Sequence, residues 1–136
     1  PILEGEKMQI HQSAEDYLET ILVLRGHKGL VRSIDVANKM GYTKASVSIA
    51  MKKLREAGYV EMDAEGFLTL TAAGQEIADR VYTRHKLLTA FFIRLGVSEE
   101  VAAADACRIE HDISEETFQC LLAHARRNVD KTDEKD

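Results

Sequence analysis

Apolar residues recur with the period of an α-helix in several segments of the chain. The first of these segments predicts a helix from about Ala14 to Arg25, and Ser13 with Asp16 three residues later resembles a capping box at its start. Its apolar positions are Tyr17, Leu18, Ile21, Leu22 and Leu24. One face of this helix is therefore expected to lie against a core.

Two shorter helices are predicted next, separated by a turn that contains glycine. Ser33 is placed to cap the first, and Gly41 can end it in the left-handed conformation. Thr43 is placed to cap the second, which ends at Gly58 and directs Val47, Met51 and Leu54 inward. Two short helices joined in this way predict a helix-turn-helix, whose second helix has the size of the DNA major groove.

Two apolar runs after the helix pair have the character of β-strands. Tyr59–Met62 and Phe67–Leu70 flank an Asp-Ala-Glu-Gly turn, which predicts a hairpin. A helix-turn-helix followed directly by a hairpin is a winged helix. Thr71 is then placed to cap the longest helix, which is expected to run from Ala72 to about Leu95.

The remaining sequence predicts two more helices and a polar end. Ser98 begins a helix to about Asp112, and Ser114 caps the last one. We expect a mainly α fold with a small β wing, in which an N-terminal winged helix-turn-helix precedes an α-helical domain. The predicted divisions are 1–71, 72–128 and, as a polar tail, 129–136.

Charge is strongly segregated along a chain whose net charge is −5. Residues 25–60 hold eight basic and two acidic residues, a balance of +6, while the rest holds ten basic and 21 acidic residues, a balance of −11. A basic segment within an acidic protein is expected when one part meets phosphate and another binds cations. The sequence has no apolar run long enough to span a membrane and no signal pattern at its start, so we expect a cytoplasmic protein with no membrane partner.

The basic segment supplies the candidate DNA-binding residues. They are polar or small positions on the second helix of the pair and basic positions flanking the first: Thr43, Lys44, Ala45, Ser46, Ser48 and Lys52, with Lys28 and Arg32. Lysines neutralise phosphate, and hydroxyls contact bases or phosphates. The second helix has no Arg, Asn or Gln between Thr43 and Lys53, so contacts to thymine methyl groups and DNA shape have to carry much of the specificity.

Candidate metal ligands cluster in the acidic part. Cys107, Glu110 and His111 have the spacing i, i+3, i+4, which would place them on one helix face. Asp16 and Glu19 form a similar pair on the first helix, and His85 lies midway along the longest helix. Taken singly, each has an ordinary structural explanation, such as a cap, a surface acid or a buried thiol.

The residues together resemble the diphtheria toxin repressor family of metal-dependent repressors, and within it the short manganese transport regulators. Three stretches carry the resemblance: Glu15–Glu19, Gly74 to Leu88, and Asp105–His111. In the second stretch His85 follows Gly74 at an interval of eleven positions, as in the family. The resemblance implies that the ligands are Asp16, Glu19, His85, Cys107, Glu110 and His111. Cys107 departs from the manganese branch, which has Glu there, whereas the iron branch has Cys.

The implied cofactor is one or two Mn(II) or Fe(II) ions per subunit. Carboxylates and imidazole suit both ions, and a thiolate shifts the preference towards softer ions such as Fe(II), Co(II) or Zn(II). The implied function is a metal-dependent transcriptional repressor, not an enzyme, that binds double-stranded operator DNA as a homodimer and controls metal-uptake genes. The resemblance further implies that 1–71 is the DNA-binding domain and that 72–128 is an α-helical metal-binding and dimerisation domain. Apolar residues of the later helices are candidates for the dimer contact: Ile113, Phe118, Leu121 and Leu122.

Two other classes of protein stay open at this point. One is a winged-helix regulator that responds to a small organic ligand, although it would leave the paired ligands unexplained. The other is a metallohydrolase, because Cys107–His111 is one residue away from the pattern His-x-x-Glu-His. Such an enzyme needs an open coordination position and a substrate cleft, for which a short helical chain offers little room.

Overall fold

The computed structural model of the chain describes residues 4–134, with side chains over residues 12–127. Its elements are α1 (Glu4–Lys28), α2 (Ser33–Met40), α3 (Lys44–Glu56), β1 (Val60–Met62), β2 (Leu68–Leu70), α4 (Ala72–Arg94), α5 (Glu99–Ile109) and α6 (Glu115–Glu134). The mainly helical fold with a small two-stranded wing is therefore confirmed. No helix in the described part is both long and apolar enough to cross a membrane.

The first compact unit, which ends at Val81, contains the helix-turn-helix. Gly41 has φ 74° and ends α2, and Thr43 Oγ1 accepts a hydrogen bond from the Ser46 backbone N–H at 3.1 Å to begin α3. The residues predicted to face inward from α3 are buried with those of α1, α2, the wing and α4: Leu18, Ile21, Val31, Val36, Ala37, Val47, Met51, Leu54, Val60, Leu68 and Ala78. This single core fixes α3 against the other helices of the unit.

The wing is an antiparallel pair in which Val60 lies opposite Leu70 and Met62 opposite Leu68. Its buried strand is tied to the helical part by a 2.7 Å hydrogen bond from Leu68 N–H to the Val31 carbonyl. Arg25 also donates to the Leu68 carbonyl at 3.0 Å. The wing is thus anchored to the loop after α1 and to the end of α1 itself.

The second compact unit begins at Tyr82 and contains the rest of α4 with α5 and α6. Ser98 and Ser114 cap the helices that follow them, because each hydroxyl accepts a hydrogen bond from a backbone N–H three residues later. The buried apolar side chains of this unit include Leu88, Ala102, Ala106 and Phe118. Phe118 is 5% exposed, so it packs inside the subunit and is not the surface residue that the sequence suggested for a dimer contact.

Several predicted boundaries differ from the observed ones. Helix α1 begins at Glu4, so Ser13 lies inside the helix and not at its cap. Ser33 is the first residue of α2 and not its cap, because Arg32 occupies the N-cap position and its backbone N–H donates to Asp35. By compactness the chain divides between Val81 and Tyr82, because the first turns of α4 pack into the first core through Ala78, and the functional division after residue 71 stays a prediction. Helix α6 continues to Glu134 and takes in most of the segment 129–136 that was predicted as a polar tail.

Candidate functional site

Two imidazoles lie on either side of one buried carboxylate in the second unit. Glu110 has no exposed surface, and its Oε2 atom lies 2.9 Å from Nδ1 of His85. Its Oε1 atom lies 3.4 Å from Nε2 of His111, whose side chain is 2% exposed. The structure therefore brings together three of the six predicted metal ligands within this unit.

The three residues with the spacing i, i+3, i+4 lie at and near the end of α5. Helix α5 ends at Ile109, so Glu110 occupies its C-cap position and His111 lies in the turn that follows. Cys107 is still within α5 and is exposed. Among the described residues, no group of three or more mutually close ligand atoms includes the Cys107 sulfur. The structure therefore does not bring the Cys107 sulfur into the cluster of Glu110 and His111, and its role as a ligand stays a prediction.

A cation fits the chemistry of this cluster. Burial of a carboxylate is costly unless it is paired with positive charge or fully hydrogen-bonded. Glu110 Oε1 accepts no hydrogen bond from the described residues. Carboxylate oxygen and imidazole nitrogen are the ligands that Mn(II) and Fe(II) accept in proteins. The donor set therefore matches the predicted metal.

The other predicted acidic pair lies in the first unit, one helical turn apart on α1. Asp16 and Glu19 are both partly buried. Between them, the Tyr17 ring packs edge-on against Tyr42 with ring centres 6.1 Å apart. Burial, and then the neighbouring Tyr42 and the Asp16 carboxylate, raise the pKa of the Tyr17 hydroxyl. The Asp16 and Glu19 carboxylates are therefore partly shielded from solvent on this part of α1.

The exposed face of α3 carries the predicted DNA-binding residues. All six predicted positions from Thr43 to Lys52 are exposed: Thr43, Lys44, Ala45, Ser46, Ser48 and Lys52. The Thr43 hydroxyl donates to Ser46 Oγ at 2.9 Å while it accepts the capping bond, so these two hydroxyls are partly used within the fold. Lys44 and Lys52 are the exposed positive charges among these six positions.

The flanking basic residues have partners inside the first unit. Lys28 Nζ lies 2.6 Å from Asp35 Oδ1, and the Arg32 backbone N–H donates to Asp35 Oδ2 at 2.9 Å. The hydrogen bond from Lys28, followed by that from Arg32, lowers the pKa of the Asp35 carboxyl. The Arg32 guanidinium lies 4.3 Å from the centre of the Phe67 ring in the wing. Any phosphate contact from these two side chains has to compete with these intramolecular contacts.

One residue of the α3 surface was missed in the sequence. Ile49 is 59% exposed, and it lies one turn after Ala45 and almost one turn before Lys52 on the outer face. The signal was present, because the inward positions Val47, Met51 and Leu54 leave Ile49 outside the buried stripe. An exposed apolar side chain on a recognition helix is suited to contact thymine methyl groups.

Sequence models of known families match both parts of the chain. Residues 9–66 match the model described as iron dependent repressor, N-terminal DNA binding domain. Residues 71–128 match the model described as iron dependent repressor, metal binding and dimerisation domain. The chain belongs to the iron-dependent repressor family. The prediction of a metal-responsive transcriptional repressor is therefore confirmed, and the buried cluster lies in the family's metal-binding domain.

Individual relatives of this repressor agree with the family assignment. It is 32% identical to the transcriptional regulator MntR of Salmonella typhimurium over 114 residues, which is 84% of this chain and 73% of that protein. It is 32% identical over 122 residues to an HTH-type transcriptional regulator of Methanocaldococcus jannaschii, covering 88% of this chain and 98% of that one. These relatives are transcriptional regulators.

A solved manganese-dependent transcriptional repressor in complex with manganese has the same fold. It matches with a TM-score of 0.75 at 28% identity, over 82% of this chain and 51% of that chain. The present chain therefore spans about half the length of that solved structure. This similarity supports the assignment of a winged-helix unit followed by a helical unit.

Proposed function

We propose that this chain is a repressor of metal-uptake genes that acts in the cytoplasm, binding operator DNA as a homodimer when Mn(II) or Fe(II) is bound. The observation that carries the proposal is the buried Glu110 carboxylate between the imidazoles of His85 and His111. It lies in the domain that the family uses for metal binding. The exposed basic face of α3 supplies the surface for DNA.

The proposed ligand set has six members, and its support differs from residue to residue. Glu110, His85 and His111 are supported by their mutual distances within the second unit. Asp16 and Glu19 are supported by the sequence pattern that they share with manganese regulators. Cys107 is supported by its position in the same pattern, and its exposure on α5 makes it the member with least structural support.

The identity of the ion follows from the hardness of the donors. Three carboxylates and two imidazoles suit Mn(II) and Fe(II), and we propose one or two such ions per subunit. The relatives named for manganese support the same choice. A Cys107 thiolate would add affinity for Fe(II) and for softer ions.

The metal acts on DNA binding because its proposed ligands come from both parts of the sequence. In the absence of metal the acidic ligands repel one another, which favours arrangements other than the DNA-binding one. A coupling free energy of about 1–3 kcal/mol between the two sites corresponds to an increase of roughly 5- to 150-fold in operator affinity. Metal occupancy would thus set whether the operator is occupied.

Dimerisation is proposed through the second unit. Exposed apolar side chains on α4 and α5 and in the loop between them leave apolar surface available for a second copy: Ile93, Leu95, Val101 and Ile109. Leu121 and Leu122 of α6 are partly buried and remain candidates. A symmetric dimer would present two α3 helices to two half-sites of one operator.

The test is operator binding by the purified protein with and without divalent metal. We expect tight binding with Mn(II) or Fe(II) and a loss of roughly 5- to 150-fold when a chelator is added. A regulator that responds to an organic ligand would bind DNA independently of the chelator. Protein that binds neither metal nor DNA, but hydrolyses a substrate when metal is added, would instead support the metallohydrolase alternative.

Substitution of Lys44 and Lys52 by alanine tests the α3 surface. Each lysine that contacts a phosphate releases counterions, so the double variant should bind operator more weakly, with a salt dependence smaller by about one unit per lost contact. The measurement is operator affinity at several salt concentrations. Lys86→Ala is the matched control, because Lys86 lies on α4 beside Tyr82 and outside the helix-turn-helix. Equal salt slopes in all three proteins would remove the two lysines from the DNA contact.

Substitution of Cys107 tests whether the thiol is a ligand. Cys107→Ser should lower affinity for Co(II) and Zn(II) by about tenfold or more and affect Mn(II) less, since softer ions lose a favoured thiolate bond. Cys107→Glu should preserve the Mn(II) response. Cys120→Ser, at the other exposed cysteine, is the control. Metal titrations that are identical for wild type and the Cys107→Ser variant would show that Cys107 is not a ligand.

A further inference from the structure

Arg84 is a buried cation one residue before His85 on α4, and no sequence pattern assigned it a role. Its guanidinium donates through Nη1 to the carbonyl of Glu110 at 3.1 Å and to the carbonyl of Ile113 at 3.0 Å. Its Nη2 donates to Glu115 Oε2 at 2.7 Å. Only about a tenth of the Arg84 side chain is exposed. Two of the three hydrogen bonds of this buried guanidinium therefore go to backbone carbonyls of a single turn.

The turn that Arg84 holds is the one that carries two of the proposed ligands. Glu110 and His111 lie between the end of α5 and the start of α6, outside regular helix. Carbonyls at a helix end have no partner within the helix and need a donor from elsewhere. One guanidinium nitrogen, Nη1, donates to the carbonyls of the first and last residues of the Glu110–Ile113 turn and holds them close together, while Nη2 binds Glu115 at the start of α6.

The packing around the guanidinium limits its movement. Its central carbon lies 5.2 Å from the centre of the Phe118 ring, which is itself buried. Glu115, the only acidic side chain with a described bond to it, is 62% exposed at its side chain. The carbonyl bonds are therefore the buried part of the arrangement, and the ion pair is its solvent-facing end.

We propose that Arg84 is a positioning residue that holds the Glu110–Ile113 turn so that the Glu110 carboxylate and the His111 imidazole are oriented for the metal. This inference rests on the proposed function of the site. Because Arg84 and His85 are consecutive on α4, one helix provides a ligand directly and anchors the turn that provides two others. Changes to groups that orient metal ligands reduce metal affinity by about 10- to 100-fold.

Three variants separate this role from a purely structural one. Arg84→Met keeps the buried aliphatic length and removes the donors, and we expect Mn(II) affinity to fall by about 10- to 100-fold. Arg84→Lys keeps the charge, but its side chain is shorter and its single nitrogen cannot replace both guanidinium nitrogens, so we expect an intermediate loss. Glu115→Gln removes only the ion pair at the exposed end and should change Mn(II) affinity by less than about twofold.

The readouts are Mn(II) affinity, measured by the electron paramagnetic resonance signal of unbound Mn(II), and the visible absorption spectrum of the Co(II)-loaded proteins. At saturating Co(II) we expect the Arg84→Met spectrum to differ from wild type, because displaced ligands change the coordination. Thermal unfolding without metal identifies the folded fraction. If Arg84→Met does not fold, Mn(II) affinity and the Co(II) spectrum are compared between the Arg84→Lys protein and wild type instead.

The outcomes distinguish this inference from the function on which it rests. Wild-type affinity and an unchanged Co(II) spectrum in folded Arg84→Met or Arg84→Lys would overturn the positioning role and leave the proposed metal site intact. A loss in Glu115→Gln as large as in Arg84→Met would overturn the assignment to the carbonyl bonds. Wild-type protein that binds no divalent ion would overturn the proposed function and this inference with it.

Discussion

Glu110→Gln is expected to abolish metal-dependent operator binding while the protein stays folded. The substitution keeps the shape of the side chain but removes the charge that faces both imidazoles, at 2.9 Å from His85 and 3.4 Å from His111. Even groups that only orient metal ligands are worth about 10- to 100-fold in affinity, so loss of a central carboxylate should cost about 100-fold or more.

The same substitution should not destabilise the protein in the absence of metal. A carboxylate with no exposed surface carries a desolvation cost, and an amide of the same size does not carry that charge. We therefore expect the free energy of unfolding without metal to be unchanged or to rise by up to about 2 kcal/mol. The opposite changes in metal affinity and stability separate a ligand from a residue that only supports packing.

The measurements are Mn(II) titration and chemical denaturation of the metal-free protein. Glu116→Gln is the matched control, because Glu116 lies exposed in the first turn of α6 and loses the same charge. It should leave both quantities close to wild type. Retention of wild-type Mn(II) affinity by Glu110→Gln would remove Glu110 from the metal site, and a large loss of stability would assign it to the core.

Much of the first unit could be predicted because its signals are local. The caps at Thr43 and Thr71, the glycine at Gly41 and the inward stripe of α3 all describe interactions within a few residues. The start of α1 could not be predicted in the same way. Ser13 had the pattern of a cap, but the helix continues through it from Glu4. A capping pattern shows that a helix can start at a residue, and it does not prevent an earlier start.

The sequence predicted that His85, Glu110 and His111 belong to one site, but it did not predict how these residues are arranged around Glu110. Regular helical spacing placed Cys107, Glu110 and His111 together, but the spacing applies only while the helix continues. Helix α5 ends at Ile109, so Glu110 is its C-cap residue and His111 lies in the following turn, while Cys107 is exposed within the helix. A helix end of this kind depends on donors from elsewhere in the fold, such as Arg84, whose bonds join residues 26 and 29 positions apart.

Gly74→Ala is expected to produce the largest loss of stability among alanine substitutions at the glycines that the structure describes. A Cβ atom at Gly74 would clash with the backbone carbonyl oxygen of Tyr59 and lie 3.0 Å from its carbonyl carbon. The Tyr59 carbonyl also accepts a hydrogen bond from the Thr71 backbone N–H at 3.1 Å. Because the clash is with backbone atoms, rotation of a side chain cannot relieve it. The close approach of the Tyr59 backbone thus explains why glycine stands at position 74, where the stretch from Gly74 to His85 begins.

The first turn of α4 would have to move away from the segment that leads into β1. Added groups in packed sites cost about 1–3 kcal/mol, and more where backbone must shift, so we expect a loss of at least about 3 kcal/mol. Gly26→Ala is the matched control, because Gly26 lies within α1 with no atom within 4 Å of an added Cβ. There, alanine should raise stability by about 0.5–1 kcal/mol through helix propensity. Urea denaturation of both variants gives the comparison, and a Gly74→Ala protein as stable as wild type would show that α4 and the Tyr59 carbonyl do not approach as closely as described.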